Sequence, residues 1–212
     1  MYRKLFTEVK KFVTEIGVEV FEFNNGDPYD QDLINEIQIL NDIRFPIELI
    51  EYWQEMGFNS GIRWAEKENE DNSSFCNFLV EGPNEIIKKY NWRNEFHNEL
   101  MVGDGINIHE NKIKAIESIL KGQKTIGIIA EGNGDYVSME LENGCISFEN
   151  HNWDTFNYYP MCSGFKKFFN QWSLISFQSG KSLSWASVLG IDGVDWNSED
   201  YNEKFKRKKF IF

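Results

Sequence analysis

The sequence predicts a fold that combines amphipathic helices with antiparallel β-strands. The first observation is an alternation of apolar and polar residues from Tyr136 to Leu141, which is typical of a strand with one buried face. The second is the pair Asn143-Gly144, which favours a tight two-residue hairpin turn with positive φ at both positions. The third is the helical spacing of apolar residues in the N-terminal segment from Tyr2 to Ile16.

Length and composition favour one folded domain over residues 1–212. With 212 residues, 41% hydrophobic and 16% aromatic, the chain can bury enough apolar surface to offset its conformational entropy. The formal net charge of -12 makes nucleic acid an improbable direct partner, because phosphate binding needs clustered Lys and Arg. The same charge favours a basic partner, although it also serves solubility alone.

The targeting and cysteine patterns point to a cytoplasmic protein. The N-terminus has no apolar signal region, and no window reaches the roughly 18 uninterrupted apolar residues of a membrane span. Cys76, Cys145 and Cys162 are odd in number and widely separated, so neither a disulfide framework nor a zinc site is indicated. We expect them to be buried free thiols.

The N-terminal part of the chain predicts three helices and a strand. A helix over Tyr2–Ile16 is followed by a short strand over residues 18–23, a helix over residues 32–40 and a helix that begins at Pro46 and ends at Gly57. The residues expected on the buried faces of these helices are Leu5, Val9, Phe12 and Ile16, then Leu33, Ile37 and Leu40, and finally Leu49, Trp53 and Met56.

The middle of the chain predicts two strands, two helices and a further strand. Residues 60–65 and 75–80 have strand character and flank the acidic loop 66–74. Pro83 begins a helix that reaches Tyr90, or continues if Trp92 and Phe96 extend its face. Residues 101–109 fit a strand with a turn, and residues 112–120 fit another helix.

The C-terminal part predicts the remainder of an antiparallel sheet. A strand over residues 125–130 precedes the hairpin, whose return strand covers residues 145–149. Residues 151–159 read as aromatic and irregular, and residues 165–177 return to helical spacing. Residues 180–212 form a C-terminal elaboration that ends in a basic cluster, which either complements a helix dipole or binds a partner.

Two blocks of this sequence resemble the SUKH superfamily. The first is Phe45-Pro46 at the start of a helix that ends at Gly57, although the family usually has Leu before the proline and Asn before the glycine. The second block consists of Ile126-Gly127, Gly134-Asp135, a strand, Asn143-Gly144, a second strand and His151. The resemblance extends from about residue 34 to residue 172.

The resemblance implies an α+β fold with a strongly twisted, mostly antiparallel sheet packed against helices. Most bacterial members of the superfamily are immunity proteins that bind and block a toxin domain, frequently a nuclease, of a polymorphic toxin system. Fungal members are regulatory scaffolds, which leaves a non-enzymatic regulatory module as the alternative. Neither group is known for catalysis or requires a cofactor, so the resemblance implies a protein that is not an enzyme.

The residues that suggest chemistry have simpler structural explanations. Asp135 lies at a strand entrance, where an Asp side chain commonly accepts backbone N–H bonds, and we favour this role over partner contact. His151, with Glu149 and Asp154 nearby, resembles a metal ligand or general base, but a hydrogen-bonded structural His is favoured. The sequence shows neither a phosphate-binding glycine loop nor a nucleophile elbow.

The functional hypothesis is that acidic residues of this protein bind a basic surface of its partner. A toxin nuclease presents Lys and Arg to phosphates, and an acidic protein can occupy that surface with fast, salt-sensitive association. The predicted toxin-binding residues form one group in the acidic loop and one around the hairpin. They are Glu66, Glu68, Glu70 and Asp71, followed by Glu131, Asp135, Glu140, Glu142 and Glu149.

Overall fold

The computed structural model describes residues 1–24, 26–65, 75–102, 120–130, 135–152, 155–174, 176–177, 189–190 and 193–194. These residues form an α+β fold, as predicted, in which helices accompany antiparallel sheets. The prediction of one sheet is too simple, because the strands divide into a three-stranded sheet, a four-stranded sheet and a pair of two-residue strands.

Helix α1 (Tyr2–Glu15) packs on the first sheet through a stripe that differs from the predicted one. Its buried residues are Tyr2, Phe6, Val9 and Val13. The predicted Leu5, Phe12 and Ile16 are only partly buried at the edge of the core. The aromatic ring of Phe6 accounts for the shift, because its centroid lies 5.9 Å from that of Phe78 and 4.9 Å from that of Phe169.

Helices α2 (Gln31–Asn41) and α3 (Ile47–Met56) follow a turn and are separated by a short connection. The side chain of Asp30 caps α2 by accepting hydrogen bonds from the N–H groups of Asp32 and Leu33. The expected burial of Leu40 is wrong, because its side chain is 74% exposed and Ile34 and Ile37 form the buried stripe. The face predicted for α3 is confirmed, and it includes Tyr52 as well.

The first sheet contains β1 (Glu19–Asn24), β2 (Ser60–Ala65) and β3 (Phe75–Val80) in that order. The bounds of β2 and β3 are those predicted from the sequence. The register of β1 against β2 shifts between Val20 and Glu22, so β1 carries an irregularity near its middle. Trp64 on β2 is buried, and its indole N–H donates to the carbonyl oxygen of Ser176 at 2.8 Å.

Helix α4 (Pro83–Val102) follows the first sheet in the chain and continues past Tyr90, as the longer of the two predicted alternatives allowed. Its last residues, Met101 and Val102, were expected in a strand, and this expectation is wrong. The remainder of that predicted strand and most of the helix predicted over residues 112–120 lie outside the described residues.

The second sheet contains β4 (Thr125–Ala130), β5 (Tyr136–Glu140), β6 (Ile146–Asn152) and β7 (Thr155–Cys162), each antiparallel to its neighbour. The irregular segment predicted over residues 151–159 is therefore wrong, since most of it belongs to β6 and β7. Polar residues interrupt the alternating pattern in this segment, so the sequence gives no clear strand signal. The two strands form because β6 and β7 pair with each other. A short pair, β8 (Leu189–Gly190) and β9 (Gly193–Val194), follows.

The two larger sheets meet where β3 ends. The N–H of Glu81 donates to the carbonyl oxygen of Ile128 at 2.9 Å, and the side chain of Asn77 donates to the carbonyl oxygen of Ala130 at 3.3 Å. Buried apolar residues of both sheets belong to a single core cluster. The described part of the chain thus shares one core across two sheets.

Helix α5 (Phe165–Ser173) closes this core with aromatic side chains. Its buried aromatic residues are Phe165, Phe168, Phe169 and Trp172. The helical spacing of this segment predicted Phe165, either Phe168 or Phe169, and Trp172 on the buried face, and it also predicted Ile175, which lies outside the described residues. The helix ends at Ser173, earlier than expected. Gly164 precedes α5 and has no side chain to cap it, but Glu48 of α3 accepts a hydrogen bond from the N–H of Lys166 at 3.0 Å.

Candidate functional site

The turn of the central hairpin is wider than the sequence predicted. Gly144 has a φ of 73°, but Asn143 does not adopt positive φ, so a two-residue turn of the expected type is absent. Instead the N–H of Glu140 donates to the carbonyl oxygen of Cys145 at 2.9 Å, which leaves residues 141–144 as a four-residue loop. The side chain of Asn143 stabilises the loop by accepting from the N–H of Cys145 at 2.8 Å.

Glu140 and Glu142 lie at the surface beside this loop. Glu142 is exposed and Glu140 is half-buried, where its Oε2 accepts from the side-chain amide of Asn143 at 2.8 Å. The two glutamates line a shallow cavity of about 420 Å³ together with three residues that precede β4, namely Leu120, Lys121 and Lys124. We call these five residues the hairpin surface.

A backbone hydrogen bond holds the two sides of the hairpin surface together. The N–H of Leu141 donates to the carbonyl oxygen of Lys124 at 2.8 Å. Two glutamates and two lysines line the same shallow cavity, so the hairpin surface carries both signs of charge. The sequence analysis selected the glutamates and missed the lysines, because the lysines lie in a different segment of the chain.

Glu149 occupies a different environment from the other predicted binding residues. Its side chain is 1% exposed and accepts two hydrogen bonds from Nη1 of Arg93, at 2.9 and 3.1 Å. The hydroxyl of Ser138 donates to the same carboxylate, and Nη2 of Arg93 donates to the carbonyl oxygens of Gly122 and Thr125. This network joins α4 to the second sheet, so Glu149 holds the fold and is not available to a partner in this conformation.

Asp135 is also buried, with an exposed fraction of 1%. It immediately precedes β5, which agrees with a position at a strand entrance. The remaining predicted binding residues lie outside the described residues, namely Glu66, Glu68, Glu70, Asp71 and Glu131. The structure thus brings Glu140 and Glu142 together at the surface and places Glu149 and Asp135 in the interior.

An apolar neighbour of the hairpin was missed by the sequence analysis. A Cβ atom added to Gly144 would lie 3.7 Å from Cβ of Pro46, so the hairpin loop contacts the start of α3. The next residue, Ile47, is 67% exposed, and Leu120 on the hairpin surface is 53% exposed. An exposed apolar side chain, that of Leu120, therefore lies on the hairpin surface, and another, that of Ile47, lies at the start of the neighbouring helix.

The described residues offer little to catalytic or metal chemistry. No group of three or more His, Cys, Asp and Glu side chains in the described part of the chain is arranged to hold a metal ion. Glu149, which the sequence analysis considered as a partner for His151 in a general base, is occupied by Arg93 and Ser138. The three cysteines all lie in the described part of the chain and form no disulfide there; Cys76 and Cys162 are buried, and Cys145 is only partly buried.

Among the described residues, no helix has the length and apolar composition needed to cross a membrane. Comparison of the chain with protein families, with curated proteins and with solved structures found no match.

Proposed function

We propose that this chain is an immunity protein that binds and neutralises a toxin domain with a basic surface, in the cytoplasm of the cell that makes both. The observation that carries the proposal is the position of Glu140 and Glu142, which remain at the surface on a hairpin loop held by defined hydrogen bonds. The resemblance of the Pro46 helix and the hairpin to the SUKH superfamily supports the same function.

Charge acts at two distances in this proposal. The net charge of -12 attracts a basic partner over the range of a Debye length, roughly 8–10 Å at moderate salt, and so increases the association rate. At contact, the two carboxylates and two ammonium groups of the hairpin surface define a pattern that only a complementary partner satisfies. Long-range attraction thus gives speed, and the local pattern gives selectivity.

The test measures toxin association and the protection of co-expressing cells, with a cognate toxin domain sought first among the products of neighbouring genes, for the double variant Glu140→Gln with Glu142→Gln. We expect association to slow by roughly threefold to tenfold and its salt dependence to weaken, because charges at an interface rim act mainly on the association rate. Protection of the cells should fall accordingly.

The matched control is Glu36→Gln, which removes an exposed carboxylate from α2, away from the hairpin surface. Association kinetics and protection should be unchanged in this variant. Wild-type kinetics and full protection in the double variant, at equal protein abundance, would exclude the hairpin surface as the contact.

A further inference from the structure

The hairpin surface has a balance of charge that the rest of the chain lacks. It combines Glu140 and Glu142 of the hairpin with Lys121 and Lys124 of the segment before β4. The whole chain contains 34 acidic and 22 basic residues, so a surface with two of each departs from its overall composition. A partner that satisfies every charge of this surface must itself carry both signs of charge.

Two of these charges lie close together without pairing to each other. Glu142 and Lys124 are both exposed. The carbonyl oxygen of Lys124 accepts from the N–H of Leu141 at 2.8 Å, so Lys124 lies beside the residue that precedes Glu142. Among the described residues, neither Glu142 nor Lys124 takes part in an ion pair. Both side chains are therefore placed to form ion pairs with another molecule.

Exposed apolar side chains accompany these two charges. Leu120 lines the same cavity and is 53% exposed. Ile47 is 67% exposed and follows Pro46, which the hairpin loop approaches at Gly144. Apolar contact of this kind favours association without specifying an orientation, whereas the charges specify the register of the two partners.

We propose that a second copy of this chain binds at the hairpin surface and forms a two-fold symmetric dimer. A two-fold axis brings the same surface of both copies together, so a contact from one residue to another is repeated in the opposite direction. With the axis beside Glu142 and Lys124, Glu142 of each copy faces Lys124 of the other, and two ion pairs form. The hairpin surface is thus complementary to itself.

The net charge of -12 does not prevent this association at moderate salt. Exposed charges that are farther apart than a Debye length, roughly 8–10 Å, are largely screened, and the charges at the contact are balanced. We expect a weak dimer, because exposed ion pairs contribute little stability.

The dimer covers the surface assigned to the toxin, so self-association would regulate toxin binding. This consequence rests on the proposed function, because only a toxin that binds the hairpin surface competes with the second copy. The dimer itself can be tested without a toxin.

The experiment is sedimentation equilibrium of the full chain from about 10 µM to about 500 µM in about 150 mM salt. We expect a dimer whose fraction rises with concentration. Glu142→Lys and Lys124→Glu should each weaken it about tenfold or more, because two ion pairs per dimer become like-charge contacts. Circular dichroism should show the wild-type fold in both variants, since both residues are exposed.

A mixture of the two variants provides the sharper measurement. In an equimolar mixture of the Glu142→Lys and Lys124→Glu variants, one copy presents two basic residues at these positions and the other presents two acidic ones. Both ion pairs are then restored, so a heterodimer should form with an affinity within about threefold of the wild-type dimer. The matched controls Lys11→Glu and Glu15→Lys reverse the same kinds of charge at exposed positions of α1 and should leave the dimer unchanged.

A monomer over the whole range of concentration, equal weakening by the α1 variants, or no association in the mixture would overturn the proposal. Unchanged toxin association and protection in the variant Glu140→Gln with Glu142→Gln is a separate result. It removes the proposed function and leaves the sedimentation measurements valid.

Discussion

At the scale of single residues, the pair Arg93 and Glu149 determines how the second sheet is attached to α4. Both side chains are almost fully buried, and a charged pair in the interior is stable only while each charge keeps its partner. The sequence did not reveal this pair, because the two residues lie 56 positions apart. From the sequence alone, an acidic residue in a strand of an acidic protein is interpreted as a surface charge, because its buried partner is not visible.

Replacement of Glu149 by Gln should therefore be strongly destabilising. It leaves the Arg93 guanidinium buried without a counter-charge, and we expect the free energy of unfolding to fall by about 3–5 kcal/mol in urea denaturation. The control Glu142→Gln changes an exposed residue and should alter it by less than about 0.5 kcal/mol. The double variant Arg93→Met with Glu149→Leu should recover part of the loss; a cost below about 1 kcal/mol for Glu149→Gln would contradict this account.

The buried carboxyl group of Glu81, at the junction of the two sheets, should make the stability of the fold depend on pH. Burial raises the pKa of its carboxyl group above the ordinary value of 4.5, while Lys89 lowers it and Glu85 raises it further. A carboxyl group with a raised pKa binds its proton more tightly in the folded state, so its contribution to stability is largest at low pH. That contribution is lost as the pH rises from about 4.5 through the raised pKa.

The variant Glu81→Gln isolates this effect. The difference in the free energy of unfolding between the variant and the wild type should shift in favour of the variant as the pH increases across that window. Denaturation of both proteins at a series of pH values measures the difference. A constant difference would show that burial and Lys89 offset each other, and a shift in favour of the wild type would show that Lys89 dominates the environment of Glu81.

At the scale of elements, helix α5 depends on a residue from α3. Gly164 provides no side chain at the helix start, and Glu48 supplies the missing acceptor for the N–H of Lys166. A carboxylate at this position also faces the positive end of the helix dipole. The interaction couples the two helices on the same side of the core.

Replacement of Glu48 by Ala should cost about 0.5–2 kcal/mol, the range measured for lost helix caps. The control is Glu51→Ala, which removes an exposed glutamate from the same helix. Thermal unfolding of both variants measures the difference. Equal stabilities would mean that water replaces Glu48 at the helix end without loss.

The elements that the sequence predicted best are those with strong local patterns. An apolar run rich in β-branched residues placed β4 correctly, and short stretches of strand character on either side of a polar acidic loop placed β2 and β3. Strand β7 was missed, because Asn157 and Pro160 weaken its local pattern and pairing with β6 compensates. The buried face of α1 was misplaced by one position, since the packing of Phe6 against Phe78 and Phe169 is invisible to periodicity.

At the scale of the whole molecule, one core extends across both larger sheets. Ile62 of the first sheet and Ile128 of the second are both fully buried in the same cluster. The sequence predicted the mixed α+β class but not the division into two sheets. The sheets meet through contacts such as the backbone hydrogen bond from Glu81 to Ile128, and local sequence patterns do not reveal contacts between residues so far apart in the chain. The small cleft lined by Asp27, Phe58 and Glu85 could not be predicted either, because its lining comes from three separate segments of the chain.

A shared core predicts that the two sheets unfold together. The variants Ile62→Ala and Ile128→Ala should each lower the free energy of unfolding by about 2–5 kcal/mol and shift a single transition. Tryptophan fluorescence and far-ultraviolet circular dichroism should report the same midpoint for each variant. Two separate transitions, of which each variant moves only one, would show that the sheets are independent units.

The hydrogen bond between Glu48 and the start of α5 joins two segments of the chain that are synthesised at different times. Glu48 and Lys166 are 118 positions apart, and ribosomes add roughly 5–20 residues per second, so about 6–24 seconds pass between them. During that interval Tyr52 and Phe6, which later contact Phe165 and Phe169 of α5, lack their partners. We therefore expect the nascent chain to expose these aromatic side chains for several seconds, and exposed apolar surface of this kind is what chaperones bind.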